Sequence, residues 1–199
     1  MEYINGVSSL YIRKFARKVE QYNVHGKLPD YFAPMIGTKK KIRVAELGAG
    51  PVNTIGNEWP GTEVELFASD IVAPAYRALW EEHAVEPLIP VEYQNMERLT
   101  YPKGMFDIVH CVNALDHTPD ARAALLEFRR VCKHGGWIYL RHAPDQMRRF
   151  RGMHAWNIRM EGNKCLFEGK NETFVLEGFE SRMEPGEKED MIVSVCQKT

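Results

Sequence analysis

Residues 41–56 have the sequence KIRVAELGAGPVNTIG, and this stretch decides how the rest of the chain is interpreted. Its first half alternates apolar and charged side chains, which predicts a short buried strand. The acidic Glu46 then precedes two glycines one residue apart, Gly48 and Gly50, and glycines at such a turn let the backbone approach a flat ligand closely. Open α/β sheets bind ligands at the carboxyl ends of their strands, so Glu46 is predicted to lie at a site for a nucleotide-like ligand.

Length and composition limit the classes of protein that this chain can represent. It has 199 residues, with 26 Lys and Arg against 27 Asp and Glu, which predicts one domain and favours neither nucleic acid nor a membrane surface as partner. No apolar run approaches the ~20 residues of a spanning helix, and the amino terminus lacks the pattern of a secretory signal. Four cysteines stand far apart and predict buried thiols in a reducing compartment: Cys111, Cys132, Cys165 and Cys196. We therefore predict a soluble, cytoplasmic protein.

The second predicted strand, residues 63–68, ends at Ser69-Asp70. Asp70 follows Gly50 by twenty residues, the spacing expected for an acid that accepts both hydroxyl hydrogens of a ribose. Asp70 also precedes a predicted helix, so a role as helix cap is the alternative, and the two roles are compatible. Between Gly50 and this strand, only residues 52–59 are available for a helix, before Pro-Gly ends it.

Strands and helices alternate along the remaining chain. A helix with one basic face is predicted over residues 7–24, where the basic face is either simply solvated or attracts an anionic substrate. Further strands are predicted at 88–93, at 104–113 and at 137–140, and a helix with Thr118 as its cap is predicted to run until Gly135-Gly136. Such alternation predicts a doubly wound parallel sheet.

Four segments in this order resemble the class I S-adenosylmethionine-dependent methyltransferases: VAELGAG, FASD, FDIVHCVNALDH and FRRVCKHGGWIYL. The resemblance covers roughly residues 40–142, and the last two segments distinguish this family from nicotinamide dehydrogenases. It implies a Rossmann-like, doubly wound and mainly parallel seven-stranded α/β sheet with helices on both faces. The family closes its sheet with an antiparallel last strand, which residues 179–184 and 191–197 are expected to supply.

The resemblance implies S-adenosyl-L-methionine as cofactor and eight residues that bind it: Glu46, Gly48, Gly50, Asp70, Ile71, Asn95, Met96 and Asn113. Among these, Asp70 matches the ribose acid, and Asn95 stands where the family commonly has Asp, although an amide still accepts from the adenine amino group. The third glycine of the loop is replaced by Val52, which argues against a pyrophosphate.

Methyl transfer depends mainly on alignment, and a base is needed only if the acceptor carries a proton at neutral pH. The candidates for this base are His117, after the fourth strand, and His154; each is more often structural when it stands alone. His142, Trp156 and Asn157 are predicted to contact the substrate. Residue spacing offers no metal site.

We predict one methyltransferase domain over residues 1–199, which acts on a small-molecule or sugar acceptor and binds neither nucleic acid nor membrane. Its predicted parts are a helical cap (1–38), the cofactor-binding core (40–142), a substrate-side insertion (143–178) and the closing strands (179–199). The insertion contains a predicted hairpin, which is either a lid or an extension of the sheet edge. Two alternatives remain: a methyltransferase-like binding or regulatory module without activity, and a nicotinamide-dependent oxidoreductase.

Overall fold

In a computed structural model of the protein, the stretch before the two glycines forms strand β1 (Lys41–Leu47). This strand belongs to the first of two compact units. The structure describes residues 26–83, 86–149 and 154–199, so the helix predicted over residues 7–24 lies outside the described residues. The chain divides into its two units after Asn95.

Among its described residues, the first unit contains three parallel strands and one short antiparallel strand. Strand β2 (Glu58–Trp59) is antiparallel to β3 (Thr62–Asp70), while β1 and β4 (Val91–Tyr93) are both parallel to β3. The first three predicted strands are therefore confirmed in type and approximate place. The helix Ala73–His83 follows β3, and the short helix Ala33–Ile36 precedes β1.

The alternation seen in β1 has a direct structural cause. Ile42 and Val44 are fully buried, while Lys41 and Arg43, which alternate with them, are exposed. Lys41 Nζ lies 2.7 Å from Glu63 Oε1, and Arg43 Nε lies 2.6 Å from Glu65 Oε2. Opposite charges on paired strands stabilise the parallel register only modestly because the pairs are exposed.

The helix predicted over residues 52–59 is wrong. This segment forms turns and bends and ends in β2. Its polar groups bond to other segments: Thr54 N donates to Glu46 Oε1 at 2.8 Å, Asn53 Oδ1 accepts from Ile89 N at 2.8 Å, and Glu58 N donates to Gly26 O at 2.6 Å. A helix of eight residues gains too little to compete with these bonds.

The second unit contains a mixed sheet. Strands β5 (Phe106–Val112) and β6 (Cys132–His142) are parallel and are connected through the helix Ala121–Val131. The chain also supplies the antiparallel closing strands: numbered in chain order, β10 (Glu180–Glu184) pairs with β11 (Met191–Gln197), which pairs with β6. The antiparallel closure predicted for the sheet is thereby confirmed.

The ends of the helix Ala121–Val131 differ from the prediction. Asp120 is the cap, because its Oδ1 accepts from Ala123 N at 2.9 Å. Thr118 instead ends the 3-10 helix Leu115–His117, and its hydroxyl donates to Leu115 O at 2.8 Å. The helix stops at Val131, before the two glycines, because Cys132 is already extended and begins β6.

A separate three-stranded antiparallel sheet follows β6 and the short helix Gln146–Arg149. It consists of β7 (Asn157–Glu161), β8 (Lys164–Glu168) and β9 (Thr173–Val175). The predicted hairpin is confirmed and gains β7 as a third strand. Within the described ranges, no helix is long and apolar enough to cross a membrane.

Candidate active-site regions

The glycine loop, Gly48-Ala49-Gly50, wraps over the end of β3. The amides of Gly48 and Ala49 donate to the carbonyl of Ser69 at 2.8 and 3.0 Å, and the amide of Gly50 donates to Asp70 Oδ2 at 3.0 Å. Gly48 and Gly50 have φ angles of 72° and 70°, in the left-handed region that a residue with a Cβ adopts only at a cost. The twenty-residue spacing between Gly50 and Asp70 thus corresponds to a direct hydrogen bond.

Asp70 joins the loop to the following helix. Its Oδ2 accepts from Gly50 and its Oδ1 accepts from Val72 N at 2.8 Å, just before the helix Ala73–His83. A carboxylate can accept several hydrogen bonds, so backbone donors and ribose hydroxyls can share its oxygens. The turn before the helix and a ribose contact are therefore compatible at this residue.

The side chain of Trp80 contacts the chain directly after the glycine loop. Trp80 Nε1 donates to the carbonyl of Pro51 at 2.6 Å. The same ring packs against a buried cluster that includes Ala49, Ala68 and Tyr76. Small residues at 49 and 68 let the loop approach β3 closely, and the indole N–H satisfies a loop carbonyl. The sequence analysis assigned Trp80 no contact with the loop, because a contact across 29 residues leaves no local pattern.

Glu46 is a buried carboxyl group directly before the loop. It is 2% exposed, and its Oε1 accepts from both the amide and the hydroxyl of Thr54. Its Oε2 is equally buried and has no partner at hydrogen-bonding geometry among the described residues. Burial raises the pKa of this carboxyl to about 7, against the lowering effect of the hydrogen bonds from Thr54. A cation placed at Oε2 would restore the ionised form.

Exposed apolar side chains lie next to Asp70. Ile71 is 54% exposed and Tyr93, the register partner of Asp70 in the β3–β4 pair, is 59% exposed. Asn95 is half-buried at the end of the first unit, and Met96 is half-buried at the start of the second. Ile71 and Tyr93 offer the kind of surface that a flat apolar ring covers. The sequence analysis named Ile71 and missed Tyr93, which it assigned only to a strand.

The second unit contains a cluster of one carboxylate and two imidazoles, Asp116, His117 and His154, called here the Asp116 cluster. His154 Nε2 lies 3.4 Å from Asp116 Oδ2, and His117 Nε2 lies 4.0 Å from Asp116 Oδ1. The two imidazole ring centroids are 4.3 Å apart. The side chain of His117 is 31% exposed, whereas those of His154 and Asp116 are nearly buried. Both histidines predicted as candidate bases therefore lie together, and the Asp116 carboxylate lies beside each of them.

Backbone hydrogen bonds hold this cluster in place. The carbonyl of Asp116 accepts from Ala155 N at 2.8 Å and from Trp156 N at 3.1 Å. Trp156 Nε1 also donates to the carbonyl of Thr118 at 2.9 Å. The turn that carries Asp116 and His117 is therefore bonded to the segment that follows His154, although 38 residues separate Thr118 from Trp156.

His142, at the end of β6, is electrostatically coupled to the Asp116 cluster. It is 2% exposed, and neither of its ring nitrogens has a hydrogen-bond partner among the described residues. Burial lowers its pKa to about 4; the negative charge of Asp116 opposes that shift and His117 adds to it. His142 is therefore neutral at neutral pH.

The other predicted site residues of this unit make structural contacts. Asn113 is exposed with a φ of 49°, and its Oδ1 accepts from Ala143 N at 2.8 Å, which ties the ends of β5 and β6 together. Trp156 is 4% exposed, and its ring lies 5.3 Å from that of Phe174. Asn157 is buried and donates to Asp145 Oδ1 at 3.0 Å. The binding roles of Asn113, Trp156 and Asn157 stay predictions.

Part of the chain is similar in sequence to a known protein family and to curated proteins. Residues 46–140 match the family described as "Methyltransferase domain". The chain is 33% identical over 113 residues to a ubiquinone biosynthesis O-methyltransferase from Bordetella avium, which covers 55% of this chain and 46% of that protein. It is 24% identical over 132 residues to a sterol 24-C-methyltransferase from Aspergillus fumigatus, which covers 65% of this chain and 35% of that protein. The chain spans less than half the length of the curated relatives it matches.

A solved structure extends the likeness over nearly the whole chain. The crystal structure of a SAM-dependent methyltransferase from Aquifex aeolicus superimposes with a TM-score of 0.55 at 14% identity, and covers 95% of this chain and 97% of that one. At this identity the likeness shows the fold, and it confirms the Rossmann-like α/β class that the sequence predicts.

Proposed function

We propose that this chain carries a class I S-adenosylmethionine-dependent methyltransferase domain and that it is an enzyme that methylates a small-molecule or sugar acceptor. The observation that carries the proposal is the glycine loop, with its direct hydrogen bond from Gly50 to Asp70 and the buried Glu46 before it. The two curated relatives named above are methyltransferases whose names specify an oxygen in one and a carbon in the other. Which atom this chain methylates is therefore left open in the proposal.

The residues present fit the cofactor in charge and shape. Glu46 Oε2 is a buried oxygen that accepts no hydrogen bond within the described part of the chain; it lies next to a loop of left-handed glycines and is suited to the α-ammonium of the methionine part. The Asp70 carboxylate is the acceptor that we assign to the ribose hydroxyls. Ile71 and Tyr93 offer apolar surface to the adenine, and Asn95 an amide to its edge. For Met96 and Asn113, contacts to the cofactor are proposed from the family resemblance alone.

S-adenosylmethionine supplies an activated methyl group on a sulfonium, so the protein has little covalent chemistry to perform. The chain's own task is to hold the acceptor atom in line with the carbon–sulfur bond and to keep water away. In the proposal the insertion over residues 143–178 covers the acceptor. Within this insertion the rings of Trp156, Phe167 and Phe174 pack against one another, and we take this packing as support for that role.

An acceptor that is protonated at neutral pH must also lose a proton. We assign this step to His117, because its side chain is 31% exposed and therefore reachable from solvent. His154 lies 3.4 Å from Asp116, and this contact orients its ring beside that of His117. His142 is neutral and buried, and in the proposal it shapes the floor of this region without taking the proton.

Three measurements test the proposal. Calorimetry with S-adenosylmethionine and with its demethylated product should show binding of both, and no heat for either would refute the enzyme function. Reduced nicotinamide nucleotide, titrated by fluorescence, should give no response. Turnover is then measured by mass spectrometry on a panel of hydroxylated, amino and sugar acceptors. Binding of the cofactor without turnover on any of them would favour the inactive binding module.

The proposed base is tested with single and double alanine variants. His117→Ala and the double variant His117→Ala, His154→Ala should keep cofactor affinity and lose ~10²-fold or more in turnover. His134→Ala, a change at an exposed histidine of β6, is the matched control and should match the wild type. Unchanged turnover in the double variant would mean that the enzyme works by alignment alone.

A further inference from the structure

The Asp116 cluster has the ligand types and spacing of a metal site. Ligand atoms from Asp116, His117 and His154 all lie within 4.8 Å of one another. Two of the separations that involve the carboxylate are 3.4 Å and 4.0 Å. Ligands held tetrahedrally at ~2.0–2.2 Å from a zinc ion stand roughly 3.3–3.6 Å apart, so small side-chain rotations would close the site around an ion.

A second feature of the cluster also favours the binding of a cation. Asp116 is 3% exposed, and its Oδ1, the atom facing His117, is buried without a hydrogen-bond partner among the described residues. Leaving one oxygen of a buried carboxylate uncompensated costs free energy, and such groups normally pair with a charge or bind a metal. The backbone bonds from Ala155 and Trp156 to the Asp116 carbonyl hold the residue in this position.

We propose that Asp116, His117 and His154 bind a divalent transition-metal ion. Two imidazoles and one carboxylate suit Zn²⁺, Fe²⁺, Co²⁺ or Ni²⁺ better than Mg²⁺ or Ca²⁺, which prefer oxygen ligands throughout. Three protein ligands leave at least one coordination position open, and the exposure of His117 places that position within reach of solvent. Sequence spacing predicted no metal site, because one ligand lies 37 residues beyond the adjacent pair.

This inference rests on the proposed function for its chemical meaning. An oxygen atom of the acceptor that occupies the open position would ionise at a lower pH, because a bound cation stabilises the anion. The proton would then pass to water, and the oxygen lone pair would attack the methyl carbon as the carbon–sulfur bond breaks. The acceptor class is then a hydroxyl or enol compound, and His117 acts as a ligand in place of a base.

Zn²⁺ titration by calorimetry is the direct test, on the 199-residue chain treated with a chelator and dialysed. We expect one ion per chain, and we expect Asp116→Asn, His117→Ala and His154→Gln each to weaken binding more than ~100-fold. His134→Ala should bind as the wild type does. Co²⁺ gives an independent signal, since ligation by imidazole changes its visible absorption bands in the wild type and not in Asp116→Asn.

Each outcome decides the proposal. No saturable Zn²⁺ binding, or equal loss in His134→Ala, would overturn it. Circular dichroism of every variant identifies those that fail to fold. The cobalt spectra of the ligand variants that do fold, compared with that of the wild type, then carry the test. S-adenosylmethionine binding is measured on the same metal-free protein. Cofactor heat without zinc heat would refute only the metal site, whereas zinc heat without cofactor heat would refute only the proposed function.

Discussion

Replacing Glu46 by Gln should make the cofactor-free protein more stable at high pH and no more stable at low pH. Glutamine has the size of the protonated acid and keeps an oxygen for the hydrogen bonds from Thr54. It cannot ionise. The variant therefore isolates the free energy of holding a charge at this buried position.

The magnitude follows from the pKa of Glu46. Burial raises that pKa from 4.5 to about 7, and a tenfold change in acidity corresponds to about 1.4 kcal/mol. Ionising Glu46 in the folded protein thus costs about 3 kcal/mol more than in the unfolded chain. Between pH 4.5 and about 7 the folded state binds more protons than the unfolded state, so this contribution to stability is present below pH 4.5. It decreases as the pH rises through that window and is lost above about pH 7.

Urea unfolding followed by tryptophan fluorescence, at several pH values from about 5 to about 8, measures the difference. The free energy of unfolding of Glu46→Gln minus that of the wild type should increase by up to about 3 kcal/mol across this range. Glu81→Gln, a change at an exposed carboxyl on the helix Ala73–His83, is the matched control and should give a flat difference. A flat difference for Glu46→Gln would refute the reasoning. The same variant should bind S-adenosylmethionine more weakly, as expected when a charged site trades stability for binding.

Three further changes probe other contacts. Asp70→Asn leaves the amide of Gly50 or of Val72 without an acceptor, so urea unfolding should show a loss of ~1–3 kcal/mol, and calorimetry a tenfold or greater loss of cofactor affinity. Trp156→Phe keeps an aromatic ring but loses both the bond to the Thr118 carbonyl and part of the buried indole, so unfolding should show a loss of at least ~1–2 kcal/mol; no loss would contradict that bond. Burial raises the pKa of the Cys132 and Cys165 thiols to about 11, so a disulfide reagent at about pH 8 should modify these two buried cysteines only after unfolding.

Local patterns predicted the strands well. The alternation in β1 and the glycines after it are properties of a few adjacent residues, and the structure places both as expected. The hairpin of β8 and β9 was likewise visible as two apolar runs around a turn. Asp70 was found from a spacing alone, and the spacing corresponds to a hydrogen bond.

Contacts between distant segments set the limits of prediction. The segment 52–59 has helix-compatible residues, yet its amides bond to Glu46 and Gly26, which no local pattern reveals. The helix after β5 begins at Asp120 and not at Thr118, because the intervening 3-10 turn already uses the Thr118 hydroxyl. The approach of His154 to Asp116 depends on the chain's return after β6, and residue spacing carries no signal for it.

The two amides on the Asp116 carbonyl make the occupancy of the cluster observable from the backbone. Amide hydrogens at Ala155 and Trp156 exchange with solvent only when the turn and the following segment separate. Whatever binds at the side chains of Asp116 and His154 ties these two segments together a second time and slows that separation. Deuterium uptake at these two positions is therefore a label-free gauge of ligand binding, readable without turnover and before any acceptor is known.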